Sequence, residues 1–434
     1  MTTFDQTLPL VQQVFTARCH EVAAIGEMVV NRDLNGRVRL IVPKAVRQDS
    51  LALQAVQTLS RDLSEKLGCH GYPADLAVLF EGNLDAVRAG ASVFFLDGFP
   101  NVFVIERLAT DGDWASIEPE SKGAPRIVFF SIKGGVGRST ALAASAWALA
   151  QEGKRVLVLD LDLESPGLSS SLLPLERRPA YGIADWLVED LVDNGDAVFD
   201  DLVATSLLSR DGEIYVVPAH GKDSGEYVAK LGRVWMSKSK TGEGRETWPR
   251  RLARFLDALE SRLNPDVILI DSRAGIDDVA ASCITGLGAS LVLLFAVDGE
   301  QTWSGYRALL RHWNRAHKAF DIRDRLQVVG AMIPDDEGRS AYFNGLRERS
   351  WSAFVDELYD EVPPGESTAG RFNFDEGDES APHFPWPVRW NRGFAALYSL
   401  HTRFSTVDAQ EVTAVFGPLV EGMHMVIAEG RNND

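Results

Sequence analysis

Eight consecutive residues, Lys133-Gly134-Gly135-Val136-Gly137-Arg138-Ser139-Thr140, bring together two cations, three glycines and two adjacent hydroxyls. Glycines allow a backbone to curl until successive N–H groups point inward, and a helix starting behind such a loop adds the positive end of its dipole. The chemistry this builds is a cradle for phosphate groups, with a hydroxyl placed for a Mg²⁺ ion. Asp160 and Asp162 follow one short apolar run, and Asp271 ends another. A buried parallel strand that ends in a carboxylate delivers it to the carboxyl edge of its sheet, where Mg²⁺ or its water is held. For Asp160 and Asp162 the plainer alternative is that each accepts backbone N–H groups at a strand end, as Asp often does.

The elements that must position these residues are legible as alternating patterns. Residues 126–131 form a short apolar run bounded by the glycine loop, as a fully buried parallel strand should; residues 139–152 are rich in Ala and Leu, which favours helix. Gly153 ends that helix and residues 156–159 give the next strand. Further strands are expected at 213–218, 267–271, 290–297 and 327–333, with helices at 248–263 and 302–320. The alternation predicts right-handed crossovers and an α/β fold: a doubly wound, mostly parallel sheet with helices on both faces. Before it, residues 8–29 read as one helix, 38–42 as a strand, 51–67 as an amphipathic helix, and 77–80, 92–96 and 101–106 as strands. A link rich in Asp, Glu, Gly, Pro and Ser over 111–126 marks a boundary. Two domains are therefore expected, a smaller α/β accessory domain over 1–121 and the larger one over 122–434.

A lysine at the start of a K-G-G-x-G-x-[ST] loop resembles the deviant Walker A loop of the ParA/MinD ATPases, and Asp160-Leu161-Asp162 resembles their D-x-D segment. The resemblance implies ATP or ADP with Mg²⁺ as cofactors. By position it implies that Gly134, Gly135, Val136, Gly137, Arg138, Ser139 and Thr140 hold the nucleotide, and that Ser139, Asp160 and Asp271 serve the metal. Lys133 would reach across a nucleotide-dependent homodimer to the partner's ATP, and Asp162 would orient the attacking water. Ser272-Arg273-Ala274-Gly275 resembles the family's γ-phosphate switch, with Arg273 an added charge set to pair with Asp277 or Asp278, or to answer the altered loop.

The departures from the pattern matter. Arg138 stands where the loop normally carries a second lysine, and its planar fork does not place charge where an ammonium does, so binding is expected to survive better than turnover. Leu163-Glu164 replace the usual Pro-Gln, and Pro334-Asp335-Asp336 stand where an adenine-contacting Asn often falls, so no base reader is assigned. Two readings follow. One is a slowly hydrolysing ATPase switch that dimerises around nucleotide and regulates a protein partner; the KGGVGR form of the loop resembles a subgroup associated with bacterial multi-gene defence loci. The other is a nucleotide-sensing scaffold without turnover.

Composition narrows the alternatives. The net charge is −18 and no basic block is present, which disfavours direct DNA binding, since that rests on Lys and Arg neutralising phosphates. No apolar run reaches the ~18–20 residues of a membrane span and the first residues do not read as a signal peptide, so a cytoplasmic protein with no membrane contact is expected. Three dispersed cysteines without a C-x-x-C argue against an iron–sulfur carrier. Cys19-His20 and Cys69-His70 are expected to be unrelated pairs, and His312 and His317 to be surface residues. Residues 181–203 are expected to form an acidic helix pair with a solvated face, and 230–244 a mobile loop. The turn-rich stretch 362–392 reads either as a partner-binding segment, through Trp386 and Trp390, or as a strap pinned by its aromatics. Residues 412–429 read as a helix.

Overall fold

The computed structural model describes residues 2–89, 91–110, 112–209, 211–240, 244–363, 370–395 and 400–432. The chain forms two compact units, Met1–Ser116 and Ile117–Asp434.

In the first unit a five-stranded sheet runs in the order β3-β2-β1-β5-β4, with β1 Met28–Arg32, β2 Val38–Pro43, β3 Val78–Glu81, β4 Ser92–Leu96 and β5 Phe99–Glu106. Helices Thr7–Ala17, Cys19–Ile25 and Ser50–Leu67 bury Val11, Phe15, Leu59 and Leu63 against Val30, Leu40 and Val104. Asp49 caps the third helix by accepting from the N–H groups of Leu51 and Ala52. The single helix expected over 8–29 is corrected here. It breaks at Arg18 and stops at Gly26, whose φ of 78° suits glycine, and the chain then enters the central strand β1. Val29 and Val30 pack into different apolar clusters, one on each face, so a helix-like apolar run is a strand buried on both sides.

The second unit is an eight-stranded sheet in the order β15-β14-β13-β6-β12-β7-β9-β8. Its strands are β6 Arg126–Ser131, β7 Arg155–Asp160, β8 Ala204–Thr205, β9 Glu213–Val217, β12 Val267–Asp271, β13 Leu291–Ala296, β14 Leu326–Ile333 and β15 Trp386–Arg389; β10 Lys238–Lys240 and β11 Gly244–Glu246 make a separate hairpin. Every pairing in the large sheet is parallel except β8 with β9. All residues of β6, β12 and β13 are buried, which requires cover on both faces. Helix Arg138–Gln151 supplies part of it through Ala141, Ala143, Ala144 and Ala146, small residues that let it lie close to the strands.

Three segments differ from expectation for tertiary reasons. The acidic helix Ile183–Asp190 is not simply solvated: buried Asp190 accepts from Arg251 Nε at 2.7 Å, Lys238 Nζ at 3.1 Å and Arg254 Nη2 at 3.0 Å. The stretch expected as a mobile loop holds helix Tyr227–Val234 and β10. Part of the turn-rich stretch is β15, which pairs with β14 at the sheet edge, a position that tolerates Pro387. Before it, fully buried His383 pins the described part of the strap. Its Nε2 donates to the Glu376 carbonyl at 3.1 Å, and its Nδ1 accepts from the Tyr359 hydroxyl at 2.5 Å. Residues 364–369 lie outside the described residues. The last helix, Ala409–Asn432, is long and apolar enough to cross a membrane by length and composition, which corrects the expectation that no such run exists. Its Val412, Phe416, Leu419 and Met423 are packed in the main core.

Candidate functional site

Parallel pairing of β6, β12 and β7 brings three strand ends to one edge. After Ser131 the chain turns through Gly135 and Gly137 at φ 76° and 84°, left-handed geometry that glycine adopts without strain, and starts a helix at Arg138. Asp160 ends β7 and Asp271 ends β12, and the two are register partners. Backbone bonds knit the loops beyond them. Leu161 N–H donates to the Asp271 carbonyl at 3.0 Å, and Gly275 N–H to the Ser131 carbonyl at 2.9 Å.

Arg138 occupies the centre. Its Nε donates to Asp271 Oδ1 at 2.7 Å, its Nη2 to Asp162 Oδ2 at 3.2 Å and its Nη1 to Ser131 Oγ at 3.1 Å. Burial alone would disfavour the guanidinium charge, but Asp271 and Asp162 outweigh it. Asp160 is fully buried and accepts from Ser169 N–H at 3.4 Å. Burial, reinforced by the charge of Asp271, pushes its carboxyl up to about 8. Burial also raises Asp162, against the pull of Arg138.

A cavity of about 630 Å³ opens on this edge. Gly134, Gly135, Val136, Gly137, Arg138, Ser139, Thr140 and Asp162 line one side together with Arg273. Lys133 is exposed and lies outside this lining, and Asp160 and Asp271 are buried behind it. Arg273 binds Glu164 at 2.6 Å and Asp277 at 3.2 Å, so it ties the loop after Asp162 to the loop after Asp271. Met332, Val388, Trp390 and Phe416 line the cavity as well. No residue of this part of the lining was assigned to the site from the sequence; Val388 and Trp390 come from the aromatic, proline-broken WPVRWN stretch. Met332 holds a φ of 55° beside a register shift between β14 and β15, an unusual conformation for a non-glycine residue at the cavity rim.

The donor set suits a hard cation. One oxygen each of Asp160, Asp162 and Asp271 is buried without a partner. Among the described residues no group of three His, Cys, Asp or Glu converges to hold a metal by itself. These observations agree for Mg²⁺, which binds through one or two carboxylates while water and substrate phosphates complete its shell. The cysteine–histidine pairs form no such group either, and His312 and His317 are exposed.

A parallel sheet with a glycine-rich phosphate loop between its central strand and the next helix defines the class of P-loop nucleotide-binding folds. Residues 127–338 match the CobQ/CobB/MinD/ParA nucleotide binding domain, and this part of the chain is a ParA/MinD-like P-loop domain. The septum site-determining protein MinD of Escherichia coli K12 is 30% identical over 170 residues, 39% of this chain and 49% of MinD. The antiactivator FleN of Pseudomonas aeruginosa is 29% identical over 212 residues, 48% of this chain and 62% of FleN. The chain thus spans about half the length of the MinD relatives it matches. Among solved structures, MinD complexed with Mg-ADP from Pyrococcus horikoshii OT3 is 20% identical, covers 69% of this chain and 96% of its own, and superposes with a TM-score of 0.42.

Proposed function

We propose that this chain is a nucleotide-dependent switch that takes ATP or ADP with Mg²⁺ in the 630 Å³ cavity, dimerises around it and regulates a protein partner, turning ATP over slowly. The supporting observation is the convergence on one cavity of the glycine loop, the helix N-terminus at Arg138 and the carboxylate Asp162. Backbone N–H groups of Gly134, Gly135, Val136 and Gly137 bind phosphate, and the Ser139 and Thr140 hydroxyls close the cradle. A bound Mg²⁺ would neutralise phosphate charge; Ser139, Asp160 and Asp271 supply its protein side. Asp162 orients the attacking water, exposed Lys133 reaches the nucleotide of a second copy, and the base lies on the Trp390 wall. A net charge of −18 favours a protein over DNA as the partner, and the use of ATP sets the work in the cytoplasm. A role in a bacterial multi-gene defence system rests on the KGGVGR loop alone.

Phosphate release from Mg-ATP, with size-exclusion of the ATP-bound and ADP-bound forms, tests this. Slow turnover that is lost in Lys133→Ala and Asp162→Ala, with an ATP-dependent dimer, is the expected result. Wild-type turnover in both variants would sink it. One observation favours the alternative of a nucleotide sensor without turnover: Asp162, the water-orienting candidate, is already bonded to Arg138. Hydrolysis that appears only in Arg138→Lys would establish that reading.

A further inference from the structure

The position of Arg138, just before the loop hydroxyls at the start of a helix, is one at which a cation ordinarily faces phosphate. Its surroundings show another allegiance. Each of its three guanidinium nitrogens already donates, to Asp271, Asp162 and Ser131, which leaves two of its five N–H groups and commits the fork first to the acids. The side chain borders the cavity but is only 6% exposed, with its charged end turned to the acids. Withdrawing it would leave Asp271, 1% exposed, without the one cation bonded to it among the described residues and strip Asp162 of the same partner. Three carboxylates with one guanidinium still leave three buried oxygens free, so a divalent ion has donors that Arg138 does not take.

We infer that Arg138 is a positioning residue for the carboxylates Asp271 and Asp162, not a phosphate ligand, and that phosphate charge is met by loop N–H groups and the helix N-terminus. This rests on the nucleotide-binding reading above. Arg138 binds the acids from one side and offsets the negative charge they present to Mg²⁺, while leaving the phosphate cradle to the backbone.

The test is ADP binding by calorimetry in EDTA and across a Mg²⁺ titration, using wild-type protein and Arg138→Gln, which keeps a donor for Asp271. The expected result is a split. Metal-free ADP affinity stays within threefold of wild type, while the Mg²⁺ concentration for half-maximal enhancement falls by fivefold or more as the acids lose the guanidinium charge that offsets theirs. A purely structural role would not lower the Mg²⁺ midpoint. Loss of more than threefold in EDTA, or an unshifted midpoint, overturns the assignment. If Arg138→Gln does not fold, Arg138→Lys carries the test. Its ammonium cannot span both acids and is left to face phosphate, so metal-free ADP affinity at least tenfold tighter than wild type supports the assignment, and any smaller gain overturns it. Wild-type protein that binds no ADP in either condition overturns the nucleotide reading and this assignment with it; Mg²⁺-dependent ADP binding with a metal-free loss in Arg138→Gln overturns the assignment alone.

Discussion

Asp160 and Asp271 stand opposite each other as register partners at the carboxyl ends of β7 and β12, which makes neighbours of two buried carboxylates from distant parts of the chain. Such a pairing is costly without a cation, and Arg138 supplies one to Asp271. Asp271→Ala should therefore lower stability by about 3–5 kcal/mol, the usual loss when one partner of a buried ion pair is removed. Urea denaturation followed by far-UV dichroism measures it, and a loss under about 1 kcal/mol would mean that the guanidinium finds other partners.

Gly422 lets the last helix approach the sheet edge. A Cβ there would meet the Trp386 ring at 2.3 Å. Gly422→Ala is expected to destabilise the protein by about 1–3 kcal/mol through overpacking, despite the better helix propensity of Ala. Because Trp386 opens β15, the same change should also weaken ADP binding by displacing Val388 and Trp390 on the cavity wall. A melting temperature at or above wild type contradicts this.

Trp390, 45% exposed, lines the cavity, and the proposed function gives it the base to stack on. Trp390→Ala should reduce nucleotide affinity roughly tenfold, in keeping with about 1–3 kcal/mol per stacked base. Inorganic triphosphate, which has no base, should bind both proteins alike. Equal losses for ATP and triphosphate would show instead that the wall had collapsed.

Burial holds the imidazole of His383 below its ordinary value of 6.5, and its Nδ1 accepts from Tyr359. The unfolded chain binds a proton here more readily than the folded one. The stability due to the neutral ring is thus complete above pH 6.5 and is lost as pH falls from there through the depressed folded value. His383→Gln should be less stable at neutral pH and show a shallower decline on acidification. A pair of parallel stability profiles would remove His383 from the account.

Much of the architecture is a local matter and could be read from order along the chain. The glycine loop, the buried run of β6 and the VILID strand that delivers Asp271 each announce themselves through contiguous apolarity or backbone freedom, properties that neighbours in sequence determine. Other features depend on which strand ends lie side by side. The apolar run at Met28–Val30 is equally compatible with a helix until a sheet buries both of its faces, and Trp386–Arg389 becomes a strand only because β14 offers it an edge. The sequence shows an arginine in place of a lysine, but it cannot show where the guanidinium points. That is decided by parallel pairing of β6, β7 and β12, which sets two acids within its reach, and by burial, which leaves those acids the strongest partners available.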